Sequence, residues 1–132
     1  MLKSFPLFIK LKNESEVLLN TSDIARELIN ALEEKKGENI VLLDIHDIAS
    51  FTDYFIICSG TSDRMIDSLA DAVIDEAREK AQLRGHKEGQ ASGGWVVIDF
   101  GDIVLHIFSP DQRDYYRLEQ LWDQGKVLVR LQ

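Results

Sequence analysis

Apolar positions along the chain follow two spacings, one helical and one extended, and they alternate in blocks. Ser22 sits where an N-cap belongs, with Asp23 in the first turn, where a carboxylate favours the helix dipole. Ile24, Leu28, Ala31 and Leu32 then recur at helical spacing until Gly37 stops the pattern. Ile40 to Ile45 and Tyr54 to Cys58 are continuous apolar runs of strand length, which places both inside a sheet covered on at least one face. Ser59-Gly60-Thr61-Ser62-Asp63 turns the second run into a long helix, whose buried stripe is Ile66, Ala70, Val73, Ala77 and Ala81. Four of the eight glycines fall between Gly85 and Gly94, the pattern of a mobile loop.

Trp95 to Phe100 and Asp102 to Phe108 read as a β-hairpin turning at Phe100-Gly101. In that register Asp99 faces Asp102 and Trp95 faces His106. Trp95, Val97, Val104 and His106 share one face, and Val96, Ile98, Ile103 and Leu105 share the other. The second set is core; the first is mixed, suited to a second buried layer or to a partner-binding face with an aromatic anchor. Phe-Gly suits a tight hairpin turn poorly, and a glycine bulge would shift the register. Ser109-Pro110-Asp111-Gln112 carries a capping serine, a proline at the first helical position and a glutamine that completes a capping box. It opens a short helix with Tyr115, Leu118, Leu121 and Trp122 as its apolar side. Val127 to Leu131 alternates like a terminal strand or an extended tail. The order α-β-β-α-β-β-α predicts an α/β fold, a single compact domain with helices packed on a mixed β-sheet.

Length agrees: 132 residues suffice for one core and are too few for two domains of ordinary size. Residues 1–20 mix basic and apolar positions without a period, which leaves an arm, an added strand or a misassigned start open. The apolar stretch Phe5 to Ile9 is broken by Pro6 and closed by Lys10, so it makes neither a signal peptide nor a membrane span, and a cytoplasmic protein is the expectation. Charge sharpens the picture. With 23 acidic against 15 basic residues the net charge is −8, which argues against broad contact with nucleic acid or anionic membrane and permits a basic protein partner.

Candidate chemistry is thin. Gly60-Thr61-Ser62-Asp63 stands where backbone amides at a helix start can hold an anion, but it lacks the lysine of a phosphate loop and the three glycines of a dinucleotide site, and capping explains it. Asp99-Phe100-Gly101 copies a kinase tripeptide with nothing else of a kinase around it. Asp44, Asp47, Asp99 and Asp102 end strands without the tight pairing that two metals need. His46, His86 and His106 are dispersed, so no metal site is expected, and a single cysteine, Cys58, lies in an apolar strand and reads as an inert thiol.

Three long motifs carry a resemblance. Residues Ser50 to Arg64 (SFTDYFIICSGTSDR), Gly94 to Phe108 (GWVVIDFGDIVLHIF) and Arg113 to Trp122 (RDYYRLEQLW) resemble, in the same order, signatures of the ribosomal silencing factor family, also called RsfS or Iojap-like. The resemblance covers Thr21 to Trp122, leaving residues 1–20 as an extension and 123–132 as a tail. It implies a nucleotidyltransferase-like fold without carried-over activity or cofactor. It also implies a non-enzymatic translation repressor that docks on large-subunit ribosomal protein uL-fourteen and sterically blocks joining of the small subunit, and that forms homodimers in isolation. Within such a protein Trp95, Tyr115 and Tyr116 are the expected apolar anchors, and Asp53, Asp99 and Asp102 answer basic residues of the partner, with Arg64 and His106 as further contacts. A small nucleotidyltransferase-like enzyme binding nucleotide and magnesium at Gly60 to Asp63, and a dimeric scaffold without ribosome binding, are the alternatives.

Overall fold

A computed structural model describes residues 8–10 and 16–132. The other N-terminal residues, including most of the Phe5 to Ile9 stretch, lie outside the described residues. Strand β1 (Phe8–Lys10) pairs antiparallel with β2 (Glu16–Leu18) as a separate two-stranded ribbon. Helix α1 (Thr21–Glu34) follows, then β3 (Glu38–Asp44), β4 (Tyr54–Ser59) and helix α2 (Asp63–Ala81). Next come β5 (His86–Gln90), β6 (Trp95–Asp99), β7 (Ile103–Phe108), the short helices α3 (Pro110–Tyr116) and α4 (Leu118–Leu121), and β8 (Lys126–Leu131). Six strands form one mixed sheet in the order β5-β6-β7-β4-β3-β8, in which only β4 and β7 run parallel. The mixed α/β class read from the pattern is the observed one.

The sheet separates two hydrophobic layers. Ile40, Leu42, Ile56, Cys58, Val96, Ile98, Leu105 and Ile107 point toward α1 and α2, which bury Leu28, Leu32, Ile66, Leu69 and Val73 against them. Val41, Leu43, Phe55, Ile57, Val104 and Phe108 point the other way, where the 45–53 loop and α4 give partial cover through Ile45 and Leu118. The helices start and stop for identifiable reasons. Asn20 rather than Ser22 caps α1, its side-chain oxygen accepting from the Asp23 amide at 2.8 Å. At the other end Lys36 takes the left-handed position (φ 70°), and the Gly37 amide closes onto the Leu32 carbonyl at 2.8 Å. Gly37 serves space rather than dihedral freedom, since a Cβ there would meet Cys58 Sγ at 2.6 Å.

Three expectations need correction. The glycine-rich stretch is a strand, β5, fully exposed on the sheet edge and closed by a single 3-10 turn at Ala91–Gly93. Its glycines serve shape: Gly89 holds φ +87° where a Cβ would strike the Trp95 carbonyl oxygen. The hairpin turns at Gly101-Asp102, one residue later than expected, with the Phe100 amide donating to the Ile103 carbonyl at 2.8 Å. Phe100 is buried against the core instead of sitting in the turn, and Gly101 takes the positive φ. Trp95 therefore faces Phe108, and Val97 faces His106. Partners move by two residues, an even number, so each side chain keeps the predicted face. Finally, Arg117 adopts a left-handed conformation (φ 49°) that ends α3 and changes the helical phase. Leu118 and Trp122 turn inward, whereas Tyr115 and Leu121 do not join the apolar side assigned to them.

Candidate partner-binding face

Trp95 anchors the less covered face of the sheet. Its indole stacks on Phe108 with centroids 5.0 Å apart and touches Tyr116 at 4.4 Å. Tyr116 meets Tyr115 edge-on at 5.0 Å. In the other direction the contacts pass through His106 to Phe55 at 4.8 Å, then to Trp122 at 5.5 Å and Phe51 at 5.8 Å. A continuous chain of rings thus crosses the sheet, packed in edge-on and offset geometries that stabilise aromatic clusters. It is buried in the middle and open at both ends: Tyr115 is 76% exposed, Tyr116 42% and Phe51 57%, with Leu121 at 73% beyond them. Isolated exposed apolar residues are ordinary, and it is the joining of the exposed ends through buried rings that makes this face a candidate for contact.

Local structure holds these rings in place. Ser109 caps α3 by accepting from the Gln112 amide at 3.3 Å, as its sequence predicts. Arg113 is half-buried beside it, donating to both Glu119 carboxylate oxygens at 3.1 and 2.8 Å and to Ser59 Oγ at 2.8 Å. That fork ties α3 and α4 to β4 and fixes the platform from which Tyr115 and Tyr116 project.

The acidic residues gather at the opposite end of the sheet. Asp99 accepts from the Gly101 amide at 2.7 Å and stays exposed. The Asp102 carbonyl accepts from the amides of Asp53 and Tyr54 at 3.0 and 3.1 Å, joining the hairpin tip to the start of β4. Close by, His46 bridges Asp44 (2.6 Å) and Asp47 (3.0 Å). The hydrogen bond to Asp44 raises the His46 pKa and lowers that of Asp44. Along the strands Asp99 lies about 13 Å and Asp102 about 20 Å from the Trp95 level at strand rise. Both ends fit within one standard interface, whose patch of about 800 Å² per partner is roughly 30 Å across.

The predicted residues therefore do not form one cluster. Trp95, Tyr115 and Tyr116 come together, and Asp53, Asp99 and Asp102 form the second group. Arg64 is exposed in the first turn of α2, the helix that covers the opposite face of the sheet. His106 lies beneath the surface, 6% exposed, and offers a partner no contact. Sequence reasoning missed Phe51, which an apolar residue between Ser50 and Thr52 just ahead of a strand signals only weakly. It also missed Leu121, hidden by the helix break. The Gly60-Thr61-Ser62 turn is taken up by capping: Ser62 Oγ accepts from the Met65 amide at 3.1 Å, and Thr61 leans on the Met65 sulfur. Burial pushes the Cys58 thiol up to about 12, which disfavours the thiolate. Among the described residues no group of three or more His, Cys, Asp or Glu is placed to hold a metal ion, and no helix is long and apolar enough to cross a membrane.

The fold is that of a small α/β protein, with exposed aromatic rings at one end of a sheet face and carboxylates at the other. The model of the family described as ribosomal silencing factor during starvation, RsfS, matches residues 19–131. Ribosomal silencing factor RsfS of Bacillus subtilis is 38% identical over 109 residues, covering 83% of this chain and 92% of that protein. Protein Iojap, chloroplastic, of Zea mays is 33% identical over 98 residues, 74% of this chain and 42% of that protein. A crystal structure of a Chromobacterium violaceum protein superposes with a TM-score of 0.76 at 34% identity, covering 84% of this chain and 94% of that one. The chain belongs to the ribosomal silencing factor family. The match runs past Trp122 and takes in β8, which pairs with β3 along the sheet edge.

Proposed function

We propose that this protein represses translation without catalysing a reaction, by docking its aromatic face on ribosomal protein uL-fourteen of the large subunit and excluding the small subunit by volume. The observation that carries this reading is the ring chain ending in exposed Tyr115, Tyr116 and Phe51, beside half-buried Trp95. Such rings supply most of the energy of a standard interface when they fill pockets at its centre. Asp53, Asp99 and Asp102 at the far end of the sheet match a basic protein surface and repel the surrounding RNA phosphates. In this reading the protein works in the cytoplasm, and free copies pair through the same face, so that docking and self-association compete.

Co-sedimentation with isolated ribosomal subunits tests the proposal. The protein is expected to pellet with large subunits and not with small ones, and to prevent their joining when added first. Trp95→Ala and Tyr116→Ala should each weaken pelleting at least tenfold, the cost of losing an interface anchor. Asp99→Asn with Asp102→Asn should weaken it further, more at low salt than at high salt. Folded variants that pellet as well as the parent protein would refute this docking face.

A further inference from the structure

Beneath the ring chain lies a polar atom pair that packing alone does not require. Trp95 Nε1 donates to His106 Nδ1 at 3.2 Å. An indole N–H only donates, so Nδ1 must accept and the ring proton must reside on Nε2. That Nε2 is buried with no hydrogen-bonding partner among the described residues. The imidazole is surrounded by rings: Phe55 edge-on at 4.8 Å, Phe108 stacked at 6.2 Å and Trp95 at 6.0 Å. A phenylalanine would fill this aromatic layer without burying any polar atom. Histidine adds one thing, an acceptor aimed at the indole, and carries the desolvation cost of an unsatisfied Nε2–H. Trp95 itself is half-buried between Phe108 and Tyr116 and has a free choice of tilt only if its N–H can find water instead.

We infer that His106 is a positioning residue of the docking face, held in its Nε2–H tautomer to fix the tilt of the Trp95 indole against Tyr116. His106 touches no partner and acts through Trp95 alone. The contribution to docking rests on the reading proposed above; the tautomer and the indole hydrogen bond stand apart from it. Fixing the indole before contact removes an ordering cost that a loose ring would meet on binding.

Nitrogen-15 NMR of the intact protein tests this in steps. In the unsubstituted protein the His106 ring should show the Nε2–H tautomer, and a through-hydrogen-bond coupling should link Nδ1 to the Trp95 indole nitrogen; the Nδ1–H tautomer would overturn the inference. His106→Phe, which keeps the ring and deletes the acceptor, should shift the Trp95 indole N–H signal, speed its exchange with water and weaken large-subunit binding about five- to tenfold. His106→Asn, which places an amide oxygen near the Nδ1 position, should restore much of both. A displaced indole signal with unchanged binding, or weakened binding with an unmoved indole, would overturn the positioning role. Failure of the parent protein to bind large subunits would instead refute the docking reading, leaving the tautomer and coupling to decide the hydrogen bond.

Discussion

Burial of His106 makes the stability of the fold depend on pH in a defined window. Desolvation lowers its pKa from the ordinary 6.5 to about 4. Between those values the unfolded chain binds a proton that the folded chain refuses, so stability rises with pH across the window and falls as the solution is acidified. The gap corresponds to about 3 kcal/mol once the pH is below both values, of which about 2 kcal/mol is already lost at pH 5. His46 opposes this trend. Its pKa is raised by Asp44, so its contribution is present at low pH and fades as pH rises. Comparison within a His46→Gln background removes that opposing slope. Asp44, lowered by the same contact, acts only below the ordinary carboxylate range and leaves pH 5 to 7.5 untouched. Urea unfolding followed by circular dichroism at pH 7.5, 6.5, 5.5 and 5.0 is the assay. The single variant should lose about 2 kcal/mol over the series, and adding His106→Phe should flatten the curve by that amount. Parallel curves for the two would refute the assignment of His106 as a neutral buried base.

Two further outcomes concern side chains on β4 and against its end. Arg113→Ala should destabilise the fold by roughly 3 kcal/mol, because the guanidinium is nearly buried and its loss strands the Glu119 carboxylate; Arg113→Ala combined with Glu119→Gln should recover part of that loss in a double-mutant cycle. Cys58 should react with a neutral disulfide reagent at pH 8 only as fast as the protein opens, with the rate rising in denaturant, since the thiol is buried and holds its proton to about 12.

Legibility from the sequence tracked how local the cause was. The α2 stripe Ile66, Ala70, Val73, Ala77 and Ala81 is buried throughout because a long helix has one period and one face to satisfy. The hairpin faces survived a wrong turn position because an even register change leaves the pleat unaltered. β5 was illegible: His86-Lys87-Glu88-Gly89-Gln90 has no apolar alternation, and it is a strand only because β6 offers it an edge to pair with. The same limit applies to the site. Trp95 and Tyr116 could be singled out as candidate aromatic anchors, but the left-handed Arg117 next to Leu118 lies inside the span closed by the Arg113–Glu119 fork, a contact no spacing rule encodes. Strand alternation assigns His106 a face and not a depth; the rings of Phe55, Trp95 and Phe108 packed around it supply the depth.

The separation of rings and carboxylates at opposite ends of β7 has a geometric consequence. A body held at a single point swivels about it, whereas one held at two unlike points is also oriented. With a baseline of about 13 to 20 Å, a 1 Å slack at either end permits a tilt of only about 3 to 4 degrees. In the docking proposed above one end is apolar and the other acidic, so a reversed pose would set carboxylates where rings belong and tyrosines where charge belongs. In that docking the sheet would work as a keyed bracket. It would select a heading as well as an address, and the heading would decide what the bound body keeps out.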